Sequence, residues 1–260
     1  MAPSDDNKGP ATAFVLAAGL GTRMRPLTDR MPKPMLRLAG RPLIDYVLDR
    51  LRDAGLHRAV VNLHYFADIL QQHLAGRKDL EILLSDERAE LLDTGGGIAK
   101  ALQLIGDQPF IVHNSDSVWI EQSELGAGGP ARQADGSSNI KRLIAAWDES
   151  LMDCLLMLAP SGGSLGYDGA GDFELLSDGQ LRRRAPDGTA PYVFAGVSIM
   201  QPRLFAEAPT GPFSLNLLWD KAIKGGRLYG MAAKGIWMHV GDPASLKLAE
   251  QQLAAGHSQA

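Results

Sequence analysis

Residues 13–35 read AFVLAAGLGTRMRPLTDRMPKPM, and the order of residue types along them decides the fold. Ala13 to Ala17 is a short apolar run ended by glycines, the pattern of a fully buried strand. Gly19 and Gly21 follow at its carboxyl end. In an open parallel sheet, ligands bind outside the carboxyl ends of the strands. Glycines at such an end let backbone N–H groups close around an anion in a concave nest. Arg23 and Arg25 then supply planar donors suited to phosphate oxygens. Lys33 stands between Pro32 and Pro34, which restrict the backbone on either side. Its ammonium is therefore a pre-aimed point charge.

Two better-known phosphate loops are excluded. A Walker A loop needs four residues between its glycines and then Gly-Lys-Ser/Thr, which is absent. A dinucleotide fingerprint needs a small residue where Met24 stands. A plain glycine turn with solvated arginines accounts for the glycines, but not for Pro32-Lys33-Pro34.

Outward from this stretch, apolar residues alternate between strand-like runs and helical spacing. "RPLIDYVLDRLRDAGL" places Leu43, Ile44, Val47, Leu48 and Leu51 on one helical face, with Gly55 as a stop. "RAVVNL" predicts a strand, "FADILQQHLAG" a helix, "LEILLSDE" a strand and "TGGGIAKALQLIG" a glycine-rich helix entry. "PFIVHNSD" predicts a fourth strand with a polar tip. This alternation predicts an α/β fold: a single Rossmann-like, doubly wound, mixed and mostly parallel sheet. After Trp119 the expectations are a surface loop at "GAGGPARQADGSSN", a helix at "IKRLIAAWDES" and a strand at "DCLLMLAP". A hairpin turning at Asp178-Gly179 follows, then a strand at "YVFAGVSIM", a helix at "SLNLLWDKAIKGG", and a closing strand, turn and helix. No repeat or long linker divides the chain. Residues 1–12 are expected to form a disordered tail and 13–257 a single domain. Within it, 13–119 form a first half and 120–257 a second half that elaborates one end of the sheet.

Composition bounds the partners. With 260 residues, 45% hydrophobic and 22% charged, the chain can bury a core. A formal net charge of −4 argues against nucleic acid. No apolar stretch reaches the ~18 residues a membrane span needs, and "MAPSDDNKGPAT" lacks the form of a secretory signal. No membrane partner and a cytoplasmic location are the expectation. The single cysteine, Cys154, sits in "MDCLLMLAP" and reads as a buried core residue.

The opening stretch resembles the signature of the sugar-1-phosphate nucleotidyltransferases, L-A-x-G-x-G-T-R-x-x-P-L-T followed by P-K-P. The likeness extends through "RPLIDYVLDRL", "DTGGGI", "NSD", "FAGVSIM" and "WMHVGDP", so it covers nearly the whole chain. "LLDTGGGIAKAL" and "NSDSVW" favour the uridylyltransferase branch associated with peptidoglycan recycling. The resemblance implies the nucleotide-diphospho-sugar transferase form of the fold, with 13–119 as the nucleotide-binding half and 120–257 as the sugar-binding half. It also implies attack by a sugar-phosphate oxygen on the α-phosphorus of a nucleoside triphosphate, with pyrophosphate leaving. Such chemistry needs two anions held in line and their charge neutralised, not a covalent nucleophile.

By the same resemblance, the backbone of Leu16, Ala17, Ala18, Gly19, Gly21 and Thr22 would hold the nucleotide, with Arg23 on the departing phosphates. Lys33 would reach the α-phosphate or the sugar phosphate. Asp93, Thr94, Gly95 and Gly96 would approach base and ribose; a glycine-rich helix entry is the plainer alternative. Asp116 follows a strand end and is the strongest candidate to meet Mg²⁺, or Mn²⁺ in its place. Asn114 would orient the sugar or a metal water, and Asp172, Glu174 and Gly196 are candidate sugar contacts, with Phe194 as a wall.

The chain departs from the family at W-x-D-V-G-T-P, where "WMHVGDP" puts His239 in place of the second metal-binding aspartate and Asp242 in place of the threonine. Asp242 could supply the carboxylate, His239 could hold a water or a softer metal, or Asp116 and phosphates could suffice; His239 near the metal is preferred. Trp147 and Trp219 read as core, "LRRRAPDG" as a solvated edge, and the other histidines carry no metal-ligand spacing. The favoured partners are UTP and the 1-phosphate of an acidic N-acetylated amino sugar. GTP with mannose or heptose 1-phosphate is the nearest rival, and a non-catalytic nucleotide-sugar sensor is an alternative of another class. Oligomeric state is not legible.

Overall fold

A computed structural model describes residues 9–121 and 138–257. In chain order the elements are β1 (Thr12–Leu16), β2 (Arg37–Leu38), β3 (Arg41–Pro42), α1 (Leu43–Asp53), β4 (Arg58–Leu63), α2 (Ala67–Ala75) and β5 (Glu81–Asp86). Then come α3 (Asp93–Ile105), β6 (Phe110–Asn114), β7 (Ser117–Ile120), α4 (Asn139–Ala145), β8 (Cys154–Pro160), β9 (Phe173–Leu175) and β10 (Leu181–Arg183). The chain closes with β11 (Tyr192–Met200), α5 (Asn216–Lys224), β12 (Leu228–Ala232), β13 (Ile236–His239) and α6 (Pro243–His257).

Among the described residues the main sheet has nine strands, with the path β10-β9-β11-β6-β1-β4-β5 and with β8 and β12 paired beyond β11. The first-half strands β6, β1, β4 and β5 are all parallel, as their intervening helices require. From β11 onward the pairing turns antiparallel, apart from β12 with β8. The sheet is mixed because the second half adds strands to the β6 edge of the first.

Period-two alternation splits the strand side chains between two cores. Ala13 and Val15 of β1, with Ala59 and Val61 of β4, face Ile44, Val47 and Leu51 of α1 and Leu70 and Leu74 of α2. Phe14 and Val60 point the other way, into the cluster that holds Ile98, Ala101 and Ile105 of α3 and, further along, Leu218 and Trp219 of α5. Helices thus cover both faces of the sheet. A third cluster joins Met24 and Leu38 to Val118, Met238 and Val240, and docks the ribbon β7–β13 and helix α6 beside the first loop.

Several expectations are corrected. The tail expected at 1–12 does not extend to Thr12, which pairs with Arg58 in β1, and Pro10 is buried; residues 1–8 lie outside the described residues. The surface loop expected at 126–139 lies outside them up to residue 137. Its last two residues open α4 instead: Ser138 Oγ accepts from Lys141 N–H at 3.4 Å, and Asn139 is buried. Strands β7 and β12 were not expected. The first hides behind a two-residue turn, and the second carries Gly230 at its centre, which weakens any strand pattern.

Candidate active site

Strand β1 ends at Leu16, and the following backbone turns over the sheet. A buried amide fixes where it goes: Asn62 Oδ1, near the end of the neighbouring strand β4, accepts from Ala17 N–H at 2.6 Å and Ala18 N–H at 3.2 Å. Asn62 Nδ2 donates to Glu87 Oε1 at 2.7 Å, and Glu87 Oε2 accepts from Leu92 N–H at 3.1 Å. One relay therefore ties the first loop to the entry of α3. Its members Asn62 and Glu87 are almost wholly buried, where an unpaired polar group would be costly. Sequence reasoning missed both. The available signal was a lone asparagine at the carboxyl end of an otherwise apolar strand.

Beyond this anchor, the N–H groups of Gly19 to Gly21 find no hydrogen-bond acceptor among the described residues. They remain available to an anion. Gly21 has φ +62°, and a Cβ there would stand 2.9 Å from the Thr28 methyl. Thr28 Oγ1 in turn donates to Gly21 O at 2.8 Å, closing the loop on itself. Met24 is fully buried beneath, which explains the large residue at that position, while Arg23 is carried outward on a short 3₁₀ turn. Arg23 lines the cavity; Thr22 and Arg25 do not, and Arg25 sits near Asp29 in solvent.

Pro32 opens a second 3₁₀ turn over Lys33–Met35, which presents Lys33 to the same cavity. The Lys33 ammonium donates to Asp116 Oδ2, in the turn between β6 and β7. With side chains only 12% and 29% exposed, the two charges are held largely out of solvent. The cavity they line has a volume of about 590 Å³ and is also bounded by Leu16 to Gly19, Gly21 and Asn114. That is the size range of small-ligand sites. A second hollow of about 310 Å³ shares Leu16, Asp93, Thr94 and Asn114 with the first. Asp172 and Phe194 belong to it, and Asp172 Oδ2 accepts from Phe194 N–H at 2.9 Å.

The remaining expected residues lie elsewhere. Gly95 and Gly96 are buried beneath the 211–213 segment: both N–H groups donate to Phe213 O, at 2.8 and 3.1 Å, and a Cβ on either would collide with that segment. These glycines serve close approach of chain to chain, and Asp93 and Thr94 reach the cavities instead. Glu174 pairs with Arg182 on the exposed hairpin. Gly196 packs on Ser117 and lines neither hollow. Trp219, expected as core, is buried and also walls the second hollow, and Arg183 of the expected solvated edge joins it there. Cys154 is fully buried, as expected.

His239 ends β13, packed edge-on to Tyr167 and tilted to Trp237. Burial holds its imidazole below the usual histidine range; Asp116 opposes that shift, and Lys33 and Arg23 add to it. It therefore feels the charges of the site without lining the cavity. Asp242 is engaged as a cap for α6: its carboxylate accepts from Ser245 N–H at 2.8 Å and from the Ser245 hydroxyl at 2.9 Å. Those bonds hold it below the usual carboxylate range. Among the described residues no three His, Cys, Asp or Glu side chains converge as a metal cage.

A family described as "Nucleotidyl transferase" matches residues 12–127. The chain is 47% identical to the N-acetylmuramate alpha-1-phosphate uridylyltransferase of Caulobacter vibrioides, covering 95% of this chain and 99% of that one. It is 34% identical to the Neisseria meningitidis protein of the same name, covering 94% and 98%. In fold it is similar to HddC from Yersinia pseudotuberculosis complexed with GMP-PN (TM-score 0.70, 22% identity, 94% and 99% covered). It is also similar to a UDP-glucose pyrophosphorylase complexed with UDP-glucose (TM-score 0.74, 18% identity, 95% and 99% covered). No described helix is long and apolar enough to cross a membrane. At 47% and 34% identity to these two relatives over nearly its whole length, the chain belongs to the sugar-1-phosphate nucleotidyltransferase family.

Proposed function

We propose that the protein transfers a uridylyl group from UTP to N-acetylmuramate 1-phosphate, forming UDP-N-acetylmuramate and pyrophosphate. The observation that carries this reading is the pair of hollows that meet at Leu16, Asp93, Thr94 and Asn114, the larger one holding the Lys33–Asp116 pair. The names of the two relatives supply the base and the sugar.

In this reading the triphosphate lies along Gly19 to Arg23 and the sugar occupies the second hollow. A sugar-phosphate oxygen forms the new bond to the α-phosphorus, the α–β bridge breaks, and its electron pair leaves with pyrophosphate. Lys33 exchanges Asp116 for phosphate oxygens and neutralises charge where the two anions meet. Arg23 takes up charge on the departing phosphates. Asn114 and Asp172, with Phe194 as a wall, orient the sugar. Asn62 acts through Ala17 and Ala18, holding the loop in position.

The donor set fits a divalent cation carried largely by substrate. Magnesium is commonly bound through one or two carboxylates plus phosphates, and Asp116 is a carboxylate lining the triphosphate cavity. We assign it to Asp116, with His239 nearby and Asp242 in its capping role. When bound, Mg²⁺ (Mn²⁺ in its place) would draw electron density from the phosphoryl oxygens.

The test is pyrophosphate release from each of the four common triphosphates paired with a panel of sugar 1-phosphates. Release with UTP and N-acetylmuramate 1-phosphate is expected. Preference for GTP with mannose or heptose 1-phosphate would reassign the substrates, and no release with any pair would favour a sensor.

A further inference from the structure

The run Leu181-Arg182-Arg183-Arg184 sends its three guanidinium groups to three different places. Arg182 turns outward to Glu174. Arg184 donates to the carbonyls of Gly171, Pro186 and Gly188 and ties down the adjoining turn. Arg183 lines the second hollow. Strand alternation puts it on the same face as the buried Leu181. There its guanidinium lies 5.0 Å from the Phe173 ring centre and 5.8 Å from that of Trp219.

Its remaining contacts define what it can bind. Nε donates to Asp220 Oδ1 at 2.8 Å and Nη2 to Asn216 Oδ1 at 2.9 Å, which fixes one edge of the planar group. Nη1 has no acceptor among the described residues. The hollow's carboxylate from the hairpin, Asp172, already accepts from Phe194 N–H and suits a sugar hydroxyl or amide. The hollow therefore offers an oriented cation with donors to spare, beside aromatic walls. A neutral hydroxyl would draw only an ordinary hydrogen bond from it, whereas a carboxylate would also use its charge.

We propose that Arg183 is the specificity-determining residue of the sugar site, receiving through Nη1 a carboxylate on a ring substituent. In the substrate of the preceding section, on which this inference rests, that group is the O-linked lactyl acid distinguishing N-acetylmuramate from N-acetylglucosamine. The 1-phosphate goes to Lys33 and the lactyl carboxylate to Arg183, so two cations read the two anionic ends of one sugar. Arg183 takes no part in the bond change. Its contribution falls on KM.

The experiment measures kcat and KM with UTP for both sugar 1-phosphates, in the wild type, Arg183→Met and Arg183→Lys. Arg183→Met keeps the stem over Phe173 and Trp219, and thermal melts establish that the variants fold. Loss of one charge-assisted hydrogen bond predicts a roughly 10- to 100-fold rise in KM for the muramate substrate in Arg183→Met. KM for the glucosamine substrate should rise clearly less, because that sugar lacks the carboxylate Arg183 would receive. Arg183→Lys should recover part of the preference. It decides alone if the methionine variant does not fold. Equal losses on both sugars, or an undiminished preference for the acid, would overturn the role of Arg183 while leaving the reaction in place. A wild type that uses neither sugar would overturn the parent reading and this inference together.

Discussion

The Lys33 ammonium donates directly to the Asp116 carboxylate, joining the first loop to the end of β6 across 83 residues of chain. In the proposed reaction these partners part, the lysine to phosphate and the carboxylate to a cation. Lys33→Ala should lower kcat about tenfold to a thousandfold, the scale of losing one charge-stabilising donor. Asp116→Asn should weaken the dependence of rate on Mg²⁺ concentration, and a chelator should abolish turnover in the wild type. Metal titrations of both enzymes check this; an unchanged curve would remove Asp116 from the metal site.

Asn62→Ala strands the N–H groups of Ala17 and Ala18 and leaves Glu87 without one donor. Each unsatisfied buried group costs about 1–3 kcal/mol, so the variant should unfold at lower urea concentration. Its KM for UTP should rise more than its KM for the sugar, because the relay serves the nucleotide loop. Equilibrium unfolding and a two-substrate kinetic analysis measure these effects.

Gly21→Ala forces a side chain into the left-handed region against Thr28. Strain of this kind costs about 1–3 kcal/mol, and because the loop carries Arg23, turnover should fall with it. A thermal melt and a rate at saturating substrate report the two effects.

His113 is fully buried, with Nδ1 2.8 Å from Asn114 O and Nε2 without a partner among the described residues. Burial, reinforced by the Arg50 charge and opposed by the Asn114 carbonyl, pushes its pKa down to about 4. The unfolded chain, with a histidine pKa near 6.5, binds the proton first as the pH falls. The native state thus has its full share of stability above about pH 6.5 and loses it toward pH 4, by roughly 3 kcal/mol at most. Urea unfolding between about pH 7 and pH 4.5 should show a steeper loss for the wild type than for His113→Phe; equal slopes would contradict it.

Cys154 is fully buried, and burial pushes its thiol up from the ordinary range. It should resist thiol reagents in the native protein and react only on unfolding, which a colorimetric thiol assay with and without urea resolves.

What was legible in the sequence followed physical distinctiveness. The strand–glycine–arginine order and Pro32-Lys33-Pro34 suit few purposes besides holding an anion, and the structure brings Lys33, Arg23 and Asp116 to one cavity. Helix α1 announced itself through apolar spacing, and α3 through a glycine-rich entry. The relay was illegible because Asn62 and Glu87 are unremarkable residue types, given meaning by the parallel pairing that puts their strand ends beside β1 and α3. Gly95 and Gly96 misled for a related reason: a glycine that admits a neighbouring chain looks the same in sequence as one that admits a ligand. Arg183 disappeared into a charge run because strand alternation, not composition, separates it from Arg182.

The account stands most directly on where a nucleotide binds. A crystal of the protein soaked with UTP should show the triphosphate along Gly19 to Arg23, with Lys33 drawn from Asp116 onto phosphate oxygens. UTP lodged outside that cavity, with the Lys33–Asp116 pair still closed, would contradict it.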